Sequence, residues 1–301
     1  MSDIVLEIKT LTRRFGAFTA VDALTLSVNA GEVFGLLGSN GAGKTTTIKM
    51  LTTLLPPSSG EARVAGFSIT SQAVDVRRAI GYVPQAVSVD GSLTGYENLL
   101  IFAKLYDLPH GEQQPRIREA LEFMNLTAEG GRLVSQYSGG MVRRLEIAQS
   151  TLHRPRVLFL DEPTVGMDVE ARRGLWEQIR KLIARGKTVL LTTHYLEEAD
   201  ALADRVVVIN QGQIIAEGSP AEIKAQTAGK KIRCVTLLSV EEVQTMAGVL
   251  SVVQDRDAIE IRAAIAEPVV RELLGRDAML SGIEISSAGL EEAFLALTSK
   301  K

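Results

Sequence analysis

The spacing of apolar residues changes several times along the chain, and its first part has the spacing of strands around a loop. Short apolar runs at Ile4 to Ile8, Thr19 to Val28 and Val33 to Leu37 predict strands, and the last leads directly into a glycine-rich loop. Thr46 to Leu55 has helical spacing, and Pro56 should end that helix because proline has no backbone donor. The amino-terminal part therefore predicts strands, a loop and a helix, as in an α/β fold.

Between Leu93 and Arg154 the apolar residues recur at helical spacing. Thr94-Gly95-Tyr96-Glu97 has the pattern of a capping box, which satisfies backbone donors at the start of a helix. The apolar sides of the predicted helices contain Leu99, Leu100, Phe102, Ala103, Ile117, Leu121, Met124, Leu145, Ala148 and Leu152. We therefore expect a helical subdomain, at about residues 93–154, inserted into the α/β core.

From Val157 onward, strand and helix patterns alternate, as is typical of a parallel sheet. The segments are Val157 to Leu160, Val169 to Ala184, Thr188 to Thr193 and Leu196 to Leu202. Two further apolar runs flank Asn210-Gln211-Gly212-Gln213 and predict a closing hairpin, since Gly212 can adopt a positive φ.

A short polar stretch, Gln226 to Lys231, predicts a boundary between a domain at residues 1–226 and a small domain at residues 231–301. Beyond it the patterns run strand, helix, strand, strand, helix, strand, which is the order of the ferredoxin-like arrangement. A last apolar helix is predicted at Leu290 to Leu297. The expected fold class is therefore an α/β domain followed by a small α+β domain.

The composition narrows the classes of protein that fit the chain. Its 301 residues are 46% hydrophobic and 23% charged, as in ordinary globular proteins, and the formal net charge is −3. That charge provides no overall basic field for nucleic acid. Cys234 is the single cysteine, and its place in an alternating apolar run predicts a buried side chain. No apolar stretch approaches the roughly 18 residues that cross a bilayer, so a membrane pathway would belong to another chain.

A phosphate-binding loop is predicted between the strand at Val33 and the helix at Thr46. Gly38-Ser39-Asn40-Gly41-Ala42-Gly43-Lys44-Thr45 matches the pattern in which backbone N–H groups and a helix dipole converge on a phosphate, with Thr46 directly after it. Lys44 would reach the β- and γ-phosphates, and the Thr45 hydroxyl would coordinate Mg²⁺. The alternative is a glycine-rich turn with a solvated lysine.

Two further segments have patterns that suit phosphate chemistry. Asp161 and Glu162 end a fully apolar run, which places them at the carboxyl edge of a buried parallel strand, where α/β proteins bind ligands. Ser138-Gly139-Gly140 precedes a helix predicted from Val142 to His153 and offers a hydroxyl and backbone donors at its positive end. The alternatives are a helix cap for the carboxylates and a flexible turn for the Ser-Gly-Gly segment.

In this order, the three segments resemble those of the ATP-binding subunit of an ATP-binding cassette (ABC) transporter. The commonest form of this family's signature sequence is Leu-Ser-Gly-Gly-Gln, and here Tyr137 and Met141 replace the Leu and the Gln. This variant is similar to the signature of the daunorubicin-resistance-like branch of drug exporters. The resemblance implies a phosphate-loop ATPase domain with a mixed sheet, and ATP with Mg²⁺ as its ligands. It also implies that Asp161 holds Mg²⁺ and that Glu162 orients and deprotonates the attacking water.

The resemblance implies roles for four more residues. His194, after the strand at Thr188 to Thr193, would contact the γ-phosphate, and Gln85, after Gly81-Tyr82-Val83-Pro84, would touch Mg²⁺. Asp168 would communicate across a dimer, although a helix N-cap is a rival interpretation. Phe15 would stack on adenine, where tyrosine is more usual, with a core position as the alternative.

The function implied is that of an ATP-hydrolysing exporter subunit. Two copies would face head to tail around two Mg-ATP, and Ser138-Gly139-Gly140 of each copy would cover the γ-phosphate bound by the other. The dimer would lie at the cytoplasmic face of the cell membrane. The partners would be integral membrane permease subunits, docked at Leu93 to Leu108, with no nucleic acid.

One alternative is a soluble ABC ATPase acting on nucleic acid or ribosomes, although the chain has neither the inserted heptad coiled coils nor the second cassette of such relatives. Another is a degenerate cassette, which the intact Lys44, Glu162 and His194 disfavour.

Overall fold

The computed structural model describes residues 3–225, 230–287 and 290–298. The chain forms two compact units, Met1–Ser219 and Pro220–Lys301. Most of the predicted boundary segment, residues 226–229, lies outside the described residues. The helix Pro220–Ala225, which the sequence placed in the first domain, belongs to the second unit, where it contacts the carboxyl-terminal helix Leu290–Thr298. Among the described residues, no helix is long and apolar enough to cross a membrane.

The first unit combines two sheets with helices on their faces. Its strands are β1 (Ile4–Phe15), β2 (Phe18–Asn29), β3 (Val33–Leu37), β4 (Ser59–Val64), β5 (Phe67–Ser68), β6 (Ile80–Val83), β7 (Val157–Asp161), β8 (Thr188–Thr193), β9 (Arg205–Asn210) and β10 (Gln213–Gly218). Its helices are α1 (Lys44–Leu51), α2 (Ala73–Ala79), α3 (Gly95–Leu105), α4 (His110–Phe123), α5 (Gly139–Thr151), α6 (Val169–Ala184) and α7 (Leu196–Leu202), with a 3₁₀ turn at Val134–Gln136.

The central sheet has the order β10-β9-β3-β8-β7-β6 and is parallel except for the antiparallel pair β9 and β10. Every residue of β3, β7 and β8 is buried, because helices and the second sheet cover both faces, and this explains their continuous apolar runs. Leu37 is paired with Thr193, and Asp161 with Thr192. The carboxyl ends of three strands therefore meet at one edge of the sheet.

The second sheet of this unit has the order β2-β1-β4-β5 and is antiparallel. Its first strand extends to Phe15 rather than ending near Ile8, because irregular pairings at Thr10 and Ala23, both with positive φ, let the ladder continue. β4 has no apolar run in its sequence, since only Ala62 and Val64 of it are buried. It was therefore not predicted.

Helices α3, α4 and α5 form the predicted helical subdomain. Thr94 and Glu97 make the capping box, with Glu97 N 3.1 Å from Thr94 Oγ1 and Thr94 N 2.8 Å from Glu97 Oε2. Helix α5 begins at Gly139, three residues before the predicted start. Helix α1 ends at Leu51, before any proline, because Thr53 adopts a left-handed conformation with φ 63°.

The second unit has the predicted βαββαβ order. Its elements are α8 (Pro220–Ala225), β11 (Lys230–Val235), α9 (Val240–Gln244), β12 (Val249–Asp255), β13 (Ala258–Ala263), α10 (Ala266–Arg276), β14 (Ser281–Ser287) and α11 (Leu290–Thr298). The antiparallel sheet has the order β12-β13-β11-β14, which confirms the ferredoxin-like arrangement. Cys234 is fully buried in its core beside Ile232 and Ile261.

Candidate nucleotide-binding site

The loop between β3 and α1 is a backbone cradle at the carboxyl edge of the central sheet. Gly43 immediately precedes α1 and has φ 109°, and a Cβ at this position would lie 2.5 Å from the carbonyl oxygen of Ala20. Only glycine fits both this conformation and this approach. The loop therefore presents backbone N–H groups at the start of α1, an arrangement that suits an anionic group.

Lys44 lies inside this cradle and is 4% exposed. Its Nζ donates to the carbonyl oxygens of Gly38 at 2.8 Å and Ser39 at 3.2 Å, and lies 3.1 Å from Glu162 Oε1. The buried charge of Lys44 is therefore balanced by the carbonyl groups of its own loop and by one carboxylate.

Asp161 has the surroundings of a metal ligand. Its Oδ1 accepts hydrogen bonds from Thr192 Oγ1 at 2.6 Å and Thr45 Oγ1 at 3.2 Å, while its buried Oδ2 has no hydrogen-bond partner in the described part of the chain. Burial raises the pKa of this carboxyl, and a bound cation would favour its charged form. Mg²⁺ takes oxygen ligands and is usually held by one or two carboxylates together with phosphates, so Asp161 and Thr45 fit it.

Glu162, Gln85 and His194 converge beside the loop. Gln85 Nε2 donates to Glu162 Oε2 at 3.2 Å, and His194 Nδ1 lies 3.2 Å from the same oxygen. Glu162 is only 6% exposed, and its φ of 49° is rare for a residue with a side chain. Its backbone N–H donates to both the carbonyl oxygen and the Oγ1 of Thr192, which holds it in this conformation.

A cavity of about 580 Å³ joins most of the predicted site residues. It is lined by Phe15, Phe18, Ala20, Asn40, Gly41, Gly43, Lys44, Thr45, Thr46, Gln85, Glu162, Val165 and His194. Ser39, Ala42 and Asp161 do not line the cavity: Ser39 and Ala42 belong to the same loop, and Asp161 is buried and bonded to Thr45, which does line it. Phe15 is half exposed, with the guanidinium of Arg13 4.6 Å from its ring centre. An exposed aromatic ring beside a phosphate cradle is able to stack on the base of a nucleotide.

Ser138, Gly140 and Asp168 lie in a different cavity of about 390 Å³. Ser138 caps α5 by accepting from Met141 N at 3.3 Å, and Asp168 caps α6 by accepting from Ala171 N at 2.8 Å. Gly139 is exposed at the start of α5. No lining residue is shared with the cavity around Lys44. The structure therefore divides the predicted site residues between two places on one chain.

Sequence reasoning missed Phe18, Thr192 and Arg143. Phe18 pairs with Phe15 across the first hairpin, and Thr192 pairs with Asp161 across β7 and β8, so neither is recognisable without the strand pairing. Arg143 follows the Ser-Gly-Gly segment on α5 and donates to the carbonyl oxygens of Gln85 and of Pro163, the residue after Glu162. The available signal was a basic residue within the predicted helix, whose burial the sequence did not show.

The fold and the cavity around Lys44 define a phosphate-loop nucleotide-binding protein. A family model described as ABC transporter matches residues 21–165. The daunorubicin/doxorubicin resistance ATP-binding protein DrrA of Streptomyces peucetius is 40% identical, over 97% of this chain and 92% of the relative. The linearmycin resistance ATP-binding protein LnrL of Bacillus subtilis is 36% identical, over 98% and 99%. The Nod factor export ATP-binding protein I of Ralstonia nicotianae is 38% identical, over 99% and 94%.

Solved structures agree with these relatives. An ATP-binding subunit of an ABC transporter has a TM-score of 0.66 and 31% identity, covering 74% of this chain and 92% of that one. CbiO1 of Clostridium perfringens, part of the transporter complex cbiONQ, has a TM-score of 0.70 and 25% identity, covering 81% and 96%. The chain belongs to the ATP-binding subunits of ABC transporters.

Proposed function

We propose that the chain hydrolyses ATP as one of two identical subunits that drive an exporter. The observation that carries the proposal is the division of the site: Lys44 and Glu162 line one cavity, and Ser138 and Gly140 line another. Both cavities offer backbone donors at a helix start, so both suit a phosphate. Two chains arranged head to tail would bring each Ser138 cavity onto the Lys44 cavity of the other chain.

Each side chain of the Lys44 cavity has a role in this hydrolysis. Lys44 would leave Glu162 and bind the β- and γ-phosphates, which frees the carboxylate. Glu162 would then accept a proton from the attacking water, with Gln85 and His194 orienting the reactants at the distance of one hydrogen bond. Mg²⁺ held by Thr45, Asp161 and Gln85 would neutralise phosphate charge when bound. Phosphate release from ATP, measured beside a Glu162→Gln variant, tests this hydrolysis.

The exporter part of the proposal is supported by the relatives, whose names describe resistance and export. Each of them matches nearly the whole of this chain, including the second unit. We infer export of a drug or lipid-like molecule and integral membrane permease subunits as partners, with this chain at the cytoplasmic face of the membrane. The alternative of action on nucleic acid or ribosomes gains no support from a net charge of −3.

A groove of about 540 Å³ in the first unit is the docking site that we propose for the permease. Its apolar rim contains Leu54, Val74 and Leu105, each more than half exposed, and Phe102 and Tyr106 line its wall. Three of these residues belong to the segment Leu93 to Leu108 that the sequence proposed for docking. Exposed apolar side chains around a concave surface are typical of an interaction site, so a helix of the permease would fit here.

Charge placed on this rim should separate the chain from its membrane partner. The double variant Leu54→Glu and Leu105→Glu removes two exposed apolar contacts and adds two carboxylates that cannot be desolvated cheaply. We expect recovery of the permease in pull-downs to fall by about tenfold or more, corresponding to roughly 1.4 kcal/mol, while ATP binding stays at the parental level. The double variant Leu250→Glu and Val253→Glu, at two exposed apolar residues of β12, is the matched control. Undiminished recovery of the permease would place the docking site elsewhere.

A further inference from the structure

Arg143 is a buried cation that donates hydrogen bonds to three carbonyl groups in two loops of the first unit. It lies on α5, five residues after Ser138, and is 7% exposed. Its Nη1 donates to the carbonyl oxygen of Pro84 at 2.7 Å, its Nη2 to that of Gln85 at 2.9 Å, and its Nε to that of Pro163 at 2.9 Å. One guanidinium therefore fixes the loop after β6 and the loop after β7.

These two loops carry side chains that meet in the Lys44 cavity. Gln85 donates to Glu162 at 3.2 Å, and Pro163 directly follows Glu162. Arg143 touches neither reacting side chain, but it holds the backbone at Gln85 and the backbone next to Glu162. The separation of Gln85 and Glu162 thus depends on where α5 places Arg143.

Glu146 fixes Arg143 from the next turn of α5. It is 2% exposed, and its Oε2 lies 2.7 Å from Arg143 Nη1. Its Oε1 accepts from Ser88 N at 2.5 Å and from Ser88 Oγ at 2.9 Å, so the same loop is held twice. Ser88 and Pro84 also line the groove that we propose for the permease.

Stability alone is a weak reason for this buried pair. The desolvation of two buried charges offsets most of the free energy gained from their attraction. Replacing such a pair by apolar residues of similar size therefore often leaves the stability of the protein unchanged. Lysine would keep the charge, but a single ammonium lacks the planar fork that reaches three carbonyl groups in fixed directions. The arrangement is therefore better explained by a requirement for geometry.

We infer that Arg143, fixed by Glu146, is a positioning residue for ATP hydrolysis: it sets Gln85 and Glu162 in their working geometry from the helix that begins at Gly139. The inference rests on the proposed ATPase function. Arg143 links the two cavities of one chain. Helix α5 begins at the Ser138 cavity, and the Arg143 guanidinium donates to the backbone of Gln85, whose side chain lines the Lys44 cavity. A shift of α5 by a partner chain would move Gln85 and Pro163 with it.

The test replaces the pair by apolar residues in the full chain, as Arg143→Met with Glu146→Leu. The double variant leaves no unpaired buried charge, but the carbonyl oxygens of Pro84, Gln85 and Pro163 lose a donor, so its melting temperature should fall and kcat is measured well below that temperature. Its kcat for phosphate release should fall by about 10- to 100-fold, since small misplacements of reacting groups have effects of that size. Its KM for ATP should stay within about threefold, because Lys44 and its loop are untouched.

A second variant and a control separate positioning from folding. Arg143→Lys keeps the charge beside Glu146 and should also lose kcat, so the prediction does not depend on the double variant folding. Arg205→Met with Glu32→Leu removes another ion pair of the first unit, with Nε 2.6 Å from Oε1, that is partly exposed and lies outside both cavities, and kcat should be retained. A parental kcat in either Arg143 variant would overturn the inference. Failure of the parent itself to release phosphate would instead contradict the proposed function.

Discussion

Replacing Glu162 by glutamine should leave ATP bound and lower phosphate release by about 100- to 10,000-fold, the range for loss of a general base. Glutamine has nearly the same shape and can keep the contact with Gln85, but its amide cannot take a proton from water. The change also removes the carboxylate that lies 3.1 Å from Lys44 Nζ, so Lys44 should be freer to bind phosphate. Phosphate release and ATP binding, measured on the same preparation, check both expectations.

The matched control is Glu197→Gln, the same change at an exposed glutamate three residues after His194. It should release phosphate at the parental rate, which excludes a general effect of lost charge. If Glu162→Gln released phosphate as fast as the parent, Glu162 would not be the base.

Replacing Gly139 by aspartate should abolish the closure of two chains around ATP without unfolding either chain. A Cβ at Gly139 would have no atom from another part of the described chain within 4 Å, so the side chain has room, and the helix dipole stabilises a carboxylate in the first turn of α5. The same charge would repel the γ-phosphate that the Ser138 cavity is proposed to bind. Phosphate release should fall by about 100-fold or more, as when one donor to a developing charge is removed.

Gly139→Asn separates charge from size, because it has the same shape without the negative charge. It should keep a larger share of phosphate release than Gly139→Asp. Light scattering with ATP present should show dimers for the parent and single chains for Gly139→Asp. Equal dimer formation by the parent and Gly139→Asp would contradict a phosphate site at Gly139.

Much of the fold follows from local patterns. The runs at Val33, Val157 and Thr188 predicted buried parallel strands because helices cover both faces of such strands, and all three are buried. The hairpin after Asn210 was predicted because Gly212 tolerates the positive φ, observed at 78°. Signals of this kind depend on neighbours in sequence.

Other features depend on contacts between distant segments and left no local signal. β4 is largely exposed, and helix α8 joins the second unit through its contact with α11. The loop and carboxylate motifs placed Lys44, Asp161 and Glu162 correctly at one edge of the sheet, but no spacing in the sequence showed that Ser138 lies in a separate cavity. The support that Thr192 gives to Asp161 likewise appears only once β7 and β8 are paired.

The most direct test mixes two variants, each damaged in a different cavity. Lys44→Ala removes the cation of one cavity, and Gly139→Asp spoils the other; both carry Glu162→Gln so that ATP is retained. A head-to-tail dimer of the two contains one composite site with an intact Lys44 and an intact Gly139. The retained ATP is counted after rapid removal of free nucleotide. We expect little ATP on either variant alone and about one ATP per mixed dimer, by the symmetry of such an interface. ATP retention by the mixture no greater than the sum of the separate variants would contradict a site shared between two chains.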